Sequence, residues 1–141
     1  MRKLYLFIVV LIFAQLSVAQ KIDITTVDLQ DSVQVKVEIS EGWHLYSINS
    51  NPNIGPIPTK VTFETNKDVK LIDKVTEPTP IKKYDPNFKG ELLYFNNEAV
   101  FTQKIEANKS TSLKGNIMYM VCNNERCMPP VNKEFIIELK R

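Results

Sequence analysis

Val33, Val35, Val37 and Ile39 alternate with Gln34, Lys36 and Glu38 across residues 32–40, and this period of two constrains the fold more than any other feature of the chain. Successive side chains of an extended backbone point to opposite faces, so the pattern specifies a strand buried on one face and wet on the other. Shorter runs of the same kind recur between turn signals. Residues 21–26 form a first short strand. Glu41-Gly42 turns the chain into Trp43-His44-Leu45-Tyr46, which carries the only tryptophan and the only histidine. Trp43 is most simply a core residue. Residues 60–64 and 69–72 read as strands joined by a polar turn, 92–95 and 99–105 as strands joined at Asn96-Asn97, and 113–120 with 133–139 as a last hairpin. Residues 47–58, rich in Asn, Pro and Gly, read as a long irregular loop, and 84–90 as another. Pro78-Thr79-Pro80 excludes a central strand there.

No stretch of ten or more residues carries a helical period. Eight or nine short strands separated by turns predict an all-β chain, an immunoglobulin-like β-sandwich in the broad sense, with a cysteine pair near the tip of the last hairpin. The long-range cysteine pair of antibody domains is missing, so only the architecture follows.

Both cysteines lie in one segment, Cys122 and Cys127, separated by Asn123-Asn124-Glu125-Arg126. Four polar, turn-prone residues suit a connection between antiparallel strands and bring the two cysteines opposite each other. Opposed residues have α-carbons roughly 4.5–5.5 Å apart, close to what a disulfide needs. Closing so small a loop contributes about 2 kcal/mol by chain entropy, against nearly 5 for a loop of about 100 residues. A bridge placed for stability would do better across the domain. From spacing alone a hairpin staple, redox exchange and metal binding all stay open. Exchange needs one accessible cysteine and a second close enough to expel the partner. Arg126 favours a thiolate at Cys127 and Glu125 opposes it. Pro129 and Pro130 lack amide hydrogens, which stops the ladder just beyond Cys127 and leaves its sulfur at an open edge. Met118, Met120 and Met128 around the pair would suit Cu(I) as soft ligands, and an adhesion or assembly sandwich with an inert disulfide is a third class.

Met1-Arg2-Lys3, the apolar run over 4–13 and Ser17-Val18-Ala19 make a secretory signal peptide over residues 1–19, followed by a single domain over 20–141. The apolar run is too short to span a bilayer, and no later segment is apolar enough to insert. No cysteine sits at the cleavage site to take a lipid anchor. Cleavage removes Arg2 and Lys3, leaving 16 basic against 16 acidic residues, so the formal charge of +2 falls to zero. With no basic run, a nucleic-acid or anionic-membrane surface is unsupported. One histidine and no glycine-rich phosphate loop leave no hydrolase or nucleotide site.

Three separated stretches, GWHLYS over 42–47, DPNFKGE over 85–91 and CMPP over 127–130, together resemble the N-terminal periplasmic domain of the thiol:disulfide interchange protein DsbD. The resemblance covers most of the mature chain. It implies a periplasmic immunoglobulin-like domain that carries electrons through Cys122 and Cys127 without a cofactor, a protein thiol-disulfide oxidoreductase if it is an enzyme. Its partners would be thioredoxin-like or disulfide-repair proteins. By the same resemblance Cys127 forms the mixed disulfide, Cys122 resolves it, and Phe88 sits on a cap loop that shields the pair. His44 and Tyr46 match two tyrosine positions near the family's pair. His44 is a departure, as a proton shuttle, a ligand or a hydrogen-bonded surface group. The C-x4-C spacing is one residue shorter than the family form. Neither the membrane domain nor the C-terminal thioredoxin-like domain is present in this sequence, so the expected electron donor is a separate membrane polypeptide.

Overall fold

The computed structural model describes residues 21–141, and the expected signal peptide lies outside the described residues. Eleven strands follow in chain order: β1 (Ile22–Asp28), β2 (Ser32–Ile39), β3 (His44–Tyr46), β4 (Lys60–Phe63), β5 (Val69–Thr76), β6 (Ile81–Asp85), β7 (Gly90–Phe95), β8 (Glu98–Ala107), β9 (Thr111–Tyr119), β10 (Val121–Cys122) and β11 (Val131–Leu139). Among the described residues no helix is long and apolar enough to cross a membrane.

The strands make three antiparallel sheets, ordered β1-β2-β8-β5, β11-β9-β4 and β10-β3-β7-β6. The alternation in β2 does what its period requires. Val33, Val35, Val37 and Ile39 are buried, while Lys36 and Glu38 face Glu98 across the wet side, with Lys36 Nζ 2.9 Å from Glu98 Oε2. In register, Val35 pairs with Phe101 and Val37 with Ala99. The main core joins these residues to Val61, Ile117 and Tyr119 of the second sheet and to Trp43, Leu45, Phe95 and Val121 of the third. A smaller cluster around Val33, Leu113, Ile137 and Leu139 fills the other end. The sandwich is thus immunoglobulin-like in architecture, and the third sheet shares its core instead of standing apart. Trp43, 7% exposed, is a core residue as its sequence context predicts.

β6 and β5 differ from expectation. β6 occupies residues placed partly in a loop: Tyr84 and Asp85 end this strand, and Gly90 opens β7. Ile81 to Tyr84 are all exposed, so β6 is an edge strand with no buried side to imprint an alternation. β5 runs on to Thr76 past a register shift that follows Ile72. Asp73 there has φ 58°, and the buried Gln103 amide donates to the Ile72 and Asp73 carbonyls at 2.9 and 3.3 Å, satisfying backbone that the ladder leaves unpaired.

The end of the chain is fastened to the β1–β2 turn. Arg141 Nη1 donates to Asp28 Oδ2 at 2.7 Å and Nη2 donates to the Gln30 carbonyl at 2.7 Å. The Arg141 hydrogen bond holds the Asp28 carboxyl below the usual carboxylate range, helped by the Lys140 and Gln30 amides and opposed by partial desolvation.

Candidate functional site at the cysteine turn

β9 and β11 pair continuously from Leu139 opposite Thr111 to Val131 opposite Tyr119. Beyond Tyr119 the chain leaves that sheet, and β10 pairs with β3 instead, Val121 opposite Leu45 and Cys122 opposite His44. On the return side Pro129 and Pro130 carry no ladder hydrogen bond, and pairing resumes only at Val131. The cysteine turn is therefore a separate small hairpin set on the rim between two sheets. Asn123 organises it. Its side-chain Oδ1 accepts from the Glu125 and Arg126 amides at 2.9 and 2.8 Å, and its own amide donates to the Arg126 carbonyl at 2.9 Å.

Met128 N donates to the Val121 carbonyl at 2.8 Å, so hydrogen bonds flank the Cys122–Cys127 pair on both sides. That makes it a non-hydrogen-bonded pair, the kind whose side chains face each other most closely. The two are joined as a disulfide with α-carbons 3.9 Å apart, nearer than the spacing expected from a regular ladder. The pair is unsymmetrical in exposure: Cys122 is 3% exposed, while Cys127 is open to solvent.

A cavity of about 400 Å³ lies against the pair, and His44, Tyr46 and Phe88 line it together with both cysteines. All five residues singled out in the sequence therefore meet at one place. Tyr46 is buried and packs with Leu92 and Cys122. Burial, followed by the nearby Asp85 carboxylate and Tyr94, pushes its phenol up to about 12. His44 stands between two neighbours. Cys122 is opposite it on β10, and Asn96 lies on the other side, with Oδ1 3.1 Å from His44 Nδ1. The imidazole leans on Tyr94 with ring centroids 5.1 Å apart.

Phe88 sits in the turn between β6 and β7, 43% exposed. Asp85 Oδ1 accepts from the Asn87 and Phe88 amides at 2.8 and 3.3 Å, and Lys89 takes φ 52° to close the turn. Beneath this turn runs the loop that follows β3. A Cβ on Gly90 would overlap Ile54 Cγ2, and one on Gly55, whose φ is +82°, would lie 2.5 Å from Leu92 Cδ2. The near end of the loop is held by Glu77, whose carboxylate accepts from the Ser47 hydroxyl, the Ile48 amide at 3.0 Å and the Asn49 side chain at 2.7 Å. The β6–β7 segment and the loop after β3 are thus fitted closely to each other at Gly90 and Gly55.

Two of the methionines weighed as soft ligands lie in different clusters. Met120 packs with the Tyr46, Leu92 and Cys122 cluster, whereas Met128 packs against the main core. Among the described residues no group of three or more His, Cys, Asp and Glu could hold a metal ion.

The family model for the thiol:disulfide interchange protein DsbD, N-terminal, matches residues 14–139. The chain belongs to the DsbD N-terminal family. The fold agrees with solved members of that family. The DsbD N-terminal domain of Neisseria meningitidis in its reduced form is similar at a TM-score of 0.64 and 18% identity, over 86% of this chain and 87% of that one. A complex of the DsbD N-terminal domain with the PilB N-terminal domain from the same organism is similar at a TM-score of 0.65 and 17% identity, over 87% of each chain. The N-terminal periplasmic domain of ScsB from Proteus mirabilis is similar at a TM-score of 0.50 and 16% identity, over 77% of this chain and 40% of that one. No curated protein sequence matches.

Against the DsbD N-terminal reading of the sequence, the structure adds Asp85, Tyr94 and Asn96 to the surroundings of the pair. Asn96 carried only a turn signal, and Tyr94 lay within a strand with nothing to mark it. What selects them is the pairing of β3 with β7 and β10, which brings together segments about 50 and 80 positions apart in the chain.

Proposed function

We propose that this protein carries electrons between proteins of the periplasm by reversible exchange of the Cys122–Cys127 disulfide. The observation that carries the reading is the unequal burial of the two bonded cysteines, which line one cavity: Cys127 is open to solvent and Cys122 is 3% exposed. In the reduced state the Cys127 thiolate attacks a partner's disulfide and forms a mixed disulfide. Cys122 then attacks Cys127 Sγ, the partner leaves as a thiol, and two electrons have passed to it. Phe88 acts as the cap, excluding stray thiols until a partner displaces it, and Tyr46 walls the back of the site. The solved complex between a DsbD N-terminal domain and a PilB domain supports a protein partner. Thioredoxin-like or disulfide-repair proteins as clients and a separate membrane protein as donor complete the proposal. A secretory leader over 1–19 and a folded domain over 20–141 fit this location.

The test is the equilibrium reduction potential of the pair, measured on the mature domain in graded thiol buffers by counting alkylated cysteines. Structural disulfides typically lie below about −300 mV. The expected result is a higher value, with both cysteines titrating together in the native fold and a Cys122→Ala variant trapping partners through Cys127. A pair that resists reduction until the domain unfolds would overturn the reading.

A further inference from the structure

His44 stands between β10 and the residue that follows β7. Cys122 of β10 is opposite it on one side. Asn96 follows Phe95, the partner of Leu45, and so flanks it on the other. Directly opposed side chains share a face of the sheet with β-carbons about 4.5–5.5 Å apart, and His44 and Cys122 line the same cavity. An amide Oδ1 is an acceptor only, so the 3.1 Å contact is a hydrogen bond when neutral His44 carries its proton on Nδ1. The lone pair is then on Nε2. With the ring also held against Tyr94, the arrangement has the three parts of an activated nucleophile: a thiol, a base beside it and a third group that orients the base.

We propose that His44 is the general base for Cys122, with Asn96 as its positioning residue. The inference rests on the exchange reading above and assigns its resolving step. Cys122 Sγ gives its proton to His44 Nε2 and attacks Cys127 Sγ in the mixed disulfide. The Cys122–Cys127 bond forms, the bond to the partner sulfur breaks, and the departing thiolate takes up a proton from the imidazolium or from water. The partner disulfide is the oxidant. The other groups facing the cavity are Lys83 and Asp85 from β6, Glu125 and Arg126 from the cysteine turn, and the Tyr46 and Tyr94 phenols. The four charged residues are two of each sign. His44 is the only histidine in the chain.

The experiment is stopped-flow oxidation of the reduced mature domain by an aromatic disulfide whose thiolate absorbs in the visible. The first chromophore release reports the bimolecular attack, and the second, first-order release reports resolution by Cys122. A free thiol is only a few per cent ionised at pH 7. The wild-type second phase is therefore expected to rise with pH through a single inflection and level off. In His44→Gln it is slowed about tenfold at pH 7 and climbs with pH up to the thiol's own pKa. The inflection must coincide with the midpoint of the single imidazole C2 proton signal in the same protein. Asn96→Ala, which keeps the base but removes the acceptor at Nδ1, moves both midpoints to lower pH. A His44→Gln profile that superimposes on wild type, or a wild-type inflection away from the imidazole midpoint, would overturn the assignment. If His44→Gln does not fold, the wild-type and Asn96→Ala midpoints decide. Absence of any second release from native protein would instead overturn the exchange reading itself.

Discussion

Replacing Gly90 with alanine should change sign in its effect on stability according to what occupies position 54. The Cβ introduced at Gly90 would overlap Ile54 Cγ2 and lie 2.9 Å from Cδ1 and 3.2 Å from Cγ1. The whole isoleucine side chain therefore stands in its way, and Cγ2, attached directly to the β-carbon, cannot swing clear without a change of rotamer. Forced insertion of this kind costs about 1–3 kcal/mol. Gly90 has no positive φ to preserve, so alanine also restricts the unfolded chain and returns about 0.4–1 kcal/mol. The net expectation is destabilisation by about 1–2 kcal/mol in the Ile54 background. In an Ile54→Ala background the obstruction is gone, and Gly90→Ala should stabilise by about 0.5 kcal/mol. The coupling between the two sites is then about 2 kcal/mol, well above the scatter for independent sites. Urea unfolding of the four disulfide-bonded proteins, at a common denaturant slope, measures it. Stabilisation by Gly90→Ala in both backgrounds, or an equal cost in both, would refute the close fit between the start of β7 and the loop after β3.

Phe88→Ala should increase the rate at which a small thiol reduces the disulfide in the native protein; an unchanged rate, followed by thiol trapping, would remove Phe88 as a cap. Tyr46, with its phenol raised to about 12, keeps its proton in the folded protein after the unfolded chain has lost it near pH 10, so its contribution is complete below that pH and disappears as pH rises towards 12. Tyr46→Phe should delete one late phase from the alkaline phenolate titration and flatten stability over that window. Asp28 has a depressed folded pKa, so its contribution is present above the unfolded value of about 3.9 and is lost as pH falls through the lower folded value. Asp28→Asn should therefore be less stable than wild type at neutral pH and lose less stability on acidification, as urea midpoints between about pH 2 and 6 would record.

Much of the fold could be read from the chain because burial on one face writes itself into alternating residues, as in β2. The cysteine turn was legible for a related reason: four polar residues between two cysteines specify a local connection whatever the rest does. β6 was not legible because an edge strand with Lys82, Lys83 and an exposed Tyr84 has no buried face. The departure of β10 from its hairpin to join β3 was equally hidden, although Pro129 and Pro130 marked where the original ladder must stop. That departure puts His44 beside Cys122, a pairing fixed by register between segments far apart in the chain. The resemblance singled out His44 as unusual, but its neighbours on either side emerged only from the sheet order.

The covalent ring closed by Cys122 and Cys127 also limits how strongly redox state and folding influence one another. A bond that stabilises the fold by a given free energy makes the folded pair harder to reduce than the same pair in the unfolded chain by the equivalent voltage. With about 2 kcal/mol from so short a loop, the offset is about 40 mV. A bridge across the whole domain would tie the two more than twice as tightly. Opening or closing the Cys122–Cys127 bond therefore shifts the strength of the fold by about 2 kcal/mol, where a bridge across the domain would shift it by nearly 5.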